Sequence, residues 1–364
     1  MSFWQDLLQK GSPIVGLSPM DGVTDASMRY MSAKYGHPDI MFSEFVSVDA
    51  LAHAKEEKSV DRVMQAFLRA CDVGPLDPRP YEIAQVFGHT PELFYQAAVI
   101  IATLGFDGMD INMGCPAHKV EEQGSGAGLI RVPEIAKEIV RQAKQGMQDF
   151  YEGKVTIEDI GVSDLVKAWV RSRSQSVKLQ EPLPVSVKTR IGVDQEVVEW
   201  WMGQLMEVAP SMISLHGRTL KQLYQGSADW EAIGRAARVV HTLGGHILGN
   251  GDVTSLADGM AKVSQYNVDG FLIGRAAEGN PAVFVGGEPS KEQQLAWIRE
   301  HTEIYERINK PTSEDMREGD NRWFMPLRKH LAWYTHGFPG ASELRSQLVM
   351  VNSGEEVAAL VQSR

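Results

Sequence analysis

The chain has 364 residues, of which 43% are hydrophobic and 23% are charged, a composition that excludes disordered and fibrous proteins. Its 47 acidic residues outnumber 36 basic ones, and the resulting net charge of −11 argues against a broadly basic, nucleic-acid-coating protein. Cys71 and Cys115 are the two cysteines, which excludes a disulfide framework and favours a reducing, cytoplasmic location. The sequence predicts neither a membrane span nor a secretory signal.

Eight short apolar runs, each ending at polar or glycine residues, predict the strands. In chain order they are Ile14–Leu17, Ile40–Phe42, Tyr81–Phe87, Gly108–Ile111, Leu183–Val187, Met212–Leu215, Ile247–Leu248 and Val268–Ile273. Helical patterns lie between them; two open at Pro91 and Pro133, Asp194 is predicted to cap a third, and Thr254 or Ser255 a fourth.

This alternation predicts an α/β fold, a (β/α)₈ TIM barrel over residues 1–285, with the active site at the carboxyl ends of the strands. A doubly wound sheet is disfavoured because the turn after the first strand, SPMDGVTD, contains no GxGxxG. Residues 148–181 are charged and weakly periodic, so we expect an insertion there with a helix over Ser163–Arg173. Residues 286–364 contain three helical patterns, at 291–309, 321–338 and 341–351, which predict a small all-α domain.

The strongest local signal for chemistry is Cys115, which follows the fourth strand. A thiol at such a turn can be a nucleophile, a general acid or a metal ligand, although a free cysteine is more often a buried hydrophobe. The neighbours Asn112, Gly114 and Pro116 favour a functional role. Apart from His118, neither a histidine nor a second cysteine lies near Cys115, and these two side chains are too few ligands for zinc, so we expect no metal site.

Charged and glycine-rich positions follow the later strands. Lys188 and Arg190 end the fifth strand and His216 ends the sixth, while residues 249–252 and 273–281 form glycine-rich loops after the last two. Such loops often bind phosphate in barrels. The residues alone leave open a flavin mononucleotide enzyme and a phosphosugar enzyme.

Seven motifs in order resemble the tRNA-dihydrouridine synthase family: SPMDGVTD (18–25), AQVFG (84–88), DINMGCPAHKVEEQGSGAGL (110–129), VSVKTRIG (185–192), SLHGRT with QLYQGSADW (214–230), GNGDV (249–253) and IGRAAEGNPAVF (273–284). The segment RKHLAWYTHGFPGASELR (328–345) is similar to the helical C-terminal domain of the bacterial B-type members. The 148–181 insertion departs from the family pattern.

The resemblance implies FMN-dependent reduction of tRNA uridines to 5,6-dihydrouridine with NADPH as electron donor, by a monomer without a membrane or obligate protein partner. Cys115 matches the family's catalytic cysteine, which would donate the proton. The implied cofactor contacts are Pro19, Met20, Gln85, Lys188, His216, Asn250, Gly251, Asp252, Gly274 and Arg275. The implied contacts to the uridine or the tRNA are Asn112, Lys119, Arg190, Arg218, Arg328 and Lys329.

Three alternatives accompany this interpretation. One is a flavin barrel acting on a free pyrimidine, and another is a phosphosugar aldolase with Lys188 as Schiff base. The third is a non-catalytic tRNA-binding factor. Residues 322–350 contain four basic residues and one acidic residue, interleaved with aromatics, a pattern that fits either a phosphate-binding stripe or an amphipathic helix pair with core aromatics.

Overall fold

A closed barrel of eight parallel strands organises the chain in the computed structural model, which describes residues 2–115, 124–174, 179–223, 225–311 and 321–363. The strands pair in sequence order, and the first pairs with the last. Their bounds are β1 Ile14–Leu17, β2 Ile40–Ser47, β3 Tyr81–Phe87, β4 Gly108–Met113, β5 Val185–Arg190, β6 Ile213–His216, β7 Ile247–Asn250 and β8 Gly270–Ile273. The predicted TIM barrel is confirmed.

Helices surround the barrel and form the C-terminal region. Those described up to residue 285 are α1 Phe3–Gln9, α2 Ala26–Gly36, α3 Val48–His53, α4 Glu57–Met64, α5 Ala70–Val73, α6 Pro91–Leu104, α7 Pro133–Tyr151, α8 Asp164–Arg173, α9 Val198–Met206, α10 Trp230–Thr242 and α11 Leu256–Tyr266. Beyond them lie α12 Lys291–Asn309, α13 Met325–Trp333, α14 Ala341–Leu348 and α15 Gly354–Gln362. Among the described helices, none is long and apolar enough to cross a membrane.

Close packing explains how the barrel closes. All six residues of β4 are buried, as expected for a parallel strand covered on both faces. At the seam between β1 and β8, a Cβ at Gly270 would lie 2.1 Å from the carbonyl oxygen of Ile14, so only glycine fits there. Helix α1 buries Phe3, Trp4 and Leu7 in a cluster that includes residues of the barrel strands, which leaves the opposite end of the barrel for the site.

Five strands, β2 and β4 to β7, extend further toward the carboxyl end than predicted, and β2 and β5 do so by the most residues. β2 continues to Ser47 after a shift in register between Phe42 and Phe45. β5 continues to Arg190 because its backbone keeps pairing with β6, up to Arg190 opposite His216. Lys188 therefore lies within a strand rather than after one.

The helix starts are partly as predicted. Ser255 caps α11 and Ser163 caps α8, each accepting a backbone hydrogen bond. The prediction that Asp194 caps a helix is wrong: Gly192 and Glu196 form a bridge, and α9 begins only at Val198. The first residues of the predicted 148–181 insertion belong to the end of α7.

The C-terminal helices pack on the barrel through α2. Ser27 Oγ lies 2.9 Å from His301 Nε2, and Lys34 Nζ lies 2.6 Å from Glu300 Oε1. Three helices were expected here and a fourth, α15, was missed. Its short sequence, GEEVAALVQ, follows Ser353, which is its N-cap. The domain boundary at residue 285 stays a prediction.

Candidate active site

A cavity of about 1060 Å³ opens at the carboxyl ends of the strands, the end where barrel enzymes build their sites. Of the residues that the sequence predicted for the site, the cavity is lined by Pro19, Met20, Asn112, Cys115, Lys188, Arg190, His216, Arg218, Asn250, Gly251, Asp252, Gly274 and Arg275. Because the strands close in sequence order, Cys115 after β4 lies across the barrel mouth from Gly274 after β8.

A cationic wall is formed by β5 and β6. Lys188 Nζ donates to Asn250 Oδ1 at 3.1 Å. Burial and the nearby Arg190 guanidinium lower the pKa of Lys188 to about 8, while Asp110 opposes this shift. Burial and the surrounding cations also hold the pKa of His216 well below its usual value, so its ring is neutral and can accept a hydrogen bond from Arg218 Nη1 at 3.4 Å.

Asp252 connects two arginines at the loop after β7. It accepts from Arg218 Nη2 at 2.6 Å, from Arg275 Nη2 at 2.7 Å and from the backbone N–H of Ala228 at 2.8 Å. Burial alone would raise the pKa of this carboxyl, but hydrogen bonding to Arg218 and the two positive charges hold it below its usual value. Asp252 therefore orients both guanidiniums as an ionised carboxylate.

The turn that carries Cys115 is held on two sides. The N–H of Gly114 donates to Asn112 Oδ1 at 2.9 Å, and Arg190 Nε donates to the carbonyl of Gly114 at 2.7 Å. Arg190 also donates to the carbonyl of Thr219 at 3.2 Å. Cys115 is 5% exposed and still lines the cavity. A thiol in this position is shielded from bulk water and lies at the wall of the cavity.

Three predicted residues that the structure describes, Gln85, Arg328 and Lys329, are not among those lining the cavity. Gln85 is fully buried and bonds to Asp110 and Asn112. Lys119 lies outside the described residues. Arg328 donates to the carbonyl of Val351 at 2.7 Å and to Asn352, whereas Lys329 donates to the carbonyl of Gly22 in the loop after β1. The predicted RNA contacts of Arg328 and Lys329 stay predictions.

Sequence reasoning also missed residues of the cavity wall, among them Asp21, Phe45 and Glu278. Asp21 and Glu278 lie inside motifs that were recognised, so their positions after β1 and β8 were a usable signal. Phe45 was hidden because β2 was expected to end at Phe42. The register shift in β2 is the kind of local irregularity that redirects a side chain beside an active site.

Comparison with known proteins identifies the family. Residues 16–159 and 160–364 match the model of the family described as dihydrouridine synthase (Dus). The chain belongs to the dihydrouridine synthase family. The resemblance inferred from the seven motifs is thereby confirmed.

Relatives of this dihydrouridine synthase family member match along almost its whole length. A Bacillus subtilis (strain 168) protein named "Probable tRNA-dihydrouridine synthase 2" is 31% identical over 366 residues, covering 99% of this chain and 95% of that protein. A Staphylococcus epidermidis (strain RP62A) protein named "Probable tRNA-dihydrouridine synthase" is 30% identical over 370 residues, with coverage of 99% and 95%. The matches therefore include the C-terminal helices as well as the barrel.

Proposed function

We propose that this protein reduces specific uridines in tRNA to 5,6-dihydrouridine, with FMN as its cofactor, NADPH as the electron donor and Cys115 as the proton donor. The observation that carries the proposal is the cavity itself. The cavity brings a shielded thiol after β4 together with a set of cations and amides from β5 to β8. It does so in a chain that belongs to the dihydrouridine synthase family.

The residues present suit FMN. The cavity volume of about 1060 Å³ is large enough for a cofactor together with a base, since ligand sites typically measure about 300–1,000 Å³. Gly251 adopts φ +121°, a conformation that side chains disfavour. Gly274 and Arg275 follow at the end of β8. The loops after β7 and β8, which carry these residues, would hold the phosphate and ribityl chain of FMN. Pro19 and Met20 would contact its ring.

The cationic wall would bind the electron-rich part of the cofactor. Lys188 lies between Asn250, which accepts its hydrogen bond, and Asp110, which favours its protonated form. A cation held in a water-poor site stabilises negative charge that develops on a bound ring. The neutral His216 would act as a polar contact rather than as a second charge.

Reduction of the uracil five–six double bond requires a hydride at one carbon and a proton at the other. The hydride would come from the chemistry that FMN supplies when it is bound in its reduced form. Cys115 holds the proton on its Sγ and donates it to the second carbon, so its thiol must be protonated before the step. Arg190 and Asn112 hold the backbone on which this thiol is carried. The target nucleotide leaves its stack to enter the cavity, which costs a few kcal/mol.

Replacing Cys115 by alanine tests the proposal. We expect Cys115→Ala to keep the bound FMN spectrum and tRNA binding and to lose dihydrouridine formation by about 10²–10⁴-fold, the usual contribution of a general acid. Mass spectrometry of unmodified tRNA incubated with FMN and NADPH measures the product. Cys71→Ala is the matched control, because Cys71 lies on α5, outside the cavity wall.

Three results would contradict the proposal. Full activity of Cys115→Ala would remove the proton-donor role of the thiol. Reduction of free uridine at the rate seen with tRNA would favour the flavin barrel that acts on a free pyrimidine. A purified protein that stays colourless after addition of FMN would exclude FMN as its cofactor.

A further inference from the structure

A relay of three buried side chains, Asp110, Gln85 and Asn112, leads from the barrel interior to the turn that carries Cys115. Asp110 Oδ2 accepts from Gln85 Nε2 at 2.7 Å, and Gln85 Oε1 accepts from Asn112 Nδ2 at 3.0 Å. Asn112 Oδ1 then accepts from the N–H of Gly114 at 2.9 Å. Three neighbouring bonds thus run in one direction, from β4 to β3 and back to the end of β4.

Asp110 sets the direction of the hydrogen bonds in this relay. Its other oxygen, Oδ1, accepts from Ser186 Oγ at 2.6 Å, so both oxygens face donors. Although burial raises the pKa of this carboxyl to about 6, it is ionised at neutral pH and can only accept. An amide can present either its oxygen or its nitrogen to a neighbour, and the carboxylate leaves Gln85 only the nitrogen to present.

The orientation of Gln85 then fixes the orientation of Asn112. Because the side-chain nitrogen of Gln85 donates to Asp110, its oxygen faces Asn112, which must donate from its own side-chain nitrogen. Asn112 therefore presents its oxygen to the N–H of Gly114. With either amide reversed, a nitrogen donor would face the Gly114 N–H, and that bond would be lost.

We propose that Asp110 is a positioning residue, which acts through Gln85 and Asn112 to fix the turn that holds Cys115 toward the substrate. Gln85 and Asp110 are fully buried and Asn112 is 6% exposed, so water does not compete for these bonds. This role rests on the proposed function of Cys115, but the turn geometry is measurable without any reaction. Because the Gln85 amide bonds to Asp110 and Asn112 in the interior, Gln85 is absent from the described cavity wall.

Gln85→Met tests the relay by removing its middle link while nearly preserving side-chain volume. We expect the Gly114 amide to exchange its hydrogen about tenfold faster, in line with the loss of roughly one hydrogen bond. Hydrogen–deuterium exchange of the cofactor-free full chain, resolved to the peptide over 110–115, gives this readout. We also expect kcat to fall about tenfold or more, with KM for tRNA changed less than about threefold.

Two further variants separate the relay from general effects on the core. Ser186→Ala removes the other bond to Asp110 and none of the three bonds of the relay. Because the Ser186 hydroxyl also lowers the pKa of Asp110, the comparison is made at pH 8, where we expect Gly114 exchange within about twofold of wild type at the same pH. The pair Asp110→Asn with Gln85→Glu reverses the first bond, while still offering an oxygen to Asn112. We expect this pair to restore slow Gly114 exchange and most of the kcat lost in Gln85→Met.

The outcomes are decisive in either direction. Unchanged Gly114 exchange in a folded Gln85→Met variant overturns the relay, as does a paired variant that folds without restoring that exchange. Wild-type protein that forms no dihydrouridine would refute the proposed function, yet the exchange data would still support or reject the positioning of the turn.

Discussion

Lys188 should make FMN binding depend on pH. Burial and Arg190 lower the pKa of its ammonium group to about 8 in the protein on its own. FMN carries a phosphate and a polar ring, and we expect its binding to favour the protonated form of Lys188 and to return the pKa toward its usual value of about 10.4. Binding then takes up a proton when the pH lies between these two values.

The magnitude follows from the lowered pKa. About nine-tenths of the free protein carries a protonated Lys188 at pH 7, and about one-tenth does so at pH 9. If the complex keeps the proton throughout this range, the Kd for FMN rises about tenfold from pH 7 to pH 9, which is about 1.4 kcal/mol. Below pH 7 the contribution of Lys188 is complete, and it is lost progressively as the pH rises.

Titration of the apoprotein with FMN, followed by quenching of flavin fluorescence at pH 7, 8 and 9, measures this dependence. Lys188→Met should bind FMN more weakly at pH 7 and show a nearly flat profile. Cys115→Ala is the matched control, since it changes another side chain of the same cavity and leaves Lys188 in place, and it should keep the wild-type slope.

Two results would refute this reasoning. A wild-type Kd that does not change from pH 7 to pH 9 would show that the charge of Lys188 is not coupled to the ligand. The same slope in Lys188→Met would assign the titration to another group.

Three further predictions concern ion pairs and the C-terminal helices. Glu82→Gln should lower the free energy of unfolding, measured in urea, by about 3 kcal/mol or more. The substitution leaves the fully buried Arg29 without the carboxylate that lies 2.7 Å from its Nε. Asp252→Ala should cost about 2 kcal/mol by the same measurement, whereas Asp194→Ala, in an exposed ion pair, should change stability by less than about 0.5 kcal/mol. Arg328→Gln combined with Lys329→Gln should weaken tRNA binding in filter-binding assays, and unchanged affinity would place the phosphate contacts elsewhere.

Much of the barrel could be predicted because its strands are buried on both faces. Runs such as Ile14–Leu17 stand out as apolar segments, and the glycines and polar residues after the predicted strands mark the functional end of the barrel. The polar ends of the strands were harder to predict. Lys188 and Arg190 extend β5 by backbone pairing with β6, and such pairing leaves no apolar pattern in the sequence.

The sequence predicted which residues form the site but not the hydrogen bonds between them. Motifs identify Asn112, Arg190 and Arg218 as site residues, yet their contacts depend on neighbours far away in sequence. Arg190 binds the carbonyl of Gly114, and Arg218 binds Asp252. These two arginines are 4% and 2% exposed, so the structure assigns their guanidiniums to holding loops as well as to lining the cavity. Sequence spacing carries no information on such long-range hydrogen bonds.

The net charge of −11 limits how tRNA can be bound but does not exclude it. Residues 322–350 carry four basic residues against one acidic residue, and two of these cations, Arg328 and Lys329, already bind carbonyls within the fold. If that stripe alone contacts phosphates, at most four contacts form, and the logarithm of the binding constant should fall with the logarithm of salt with a slope no steeper than about −4. A steeper slope would require cations outside residues 322–350, and a shallower one would indicate recognition by shape and by the flipped base rather than by charge.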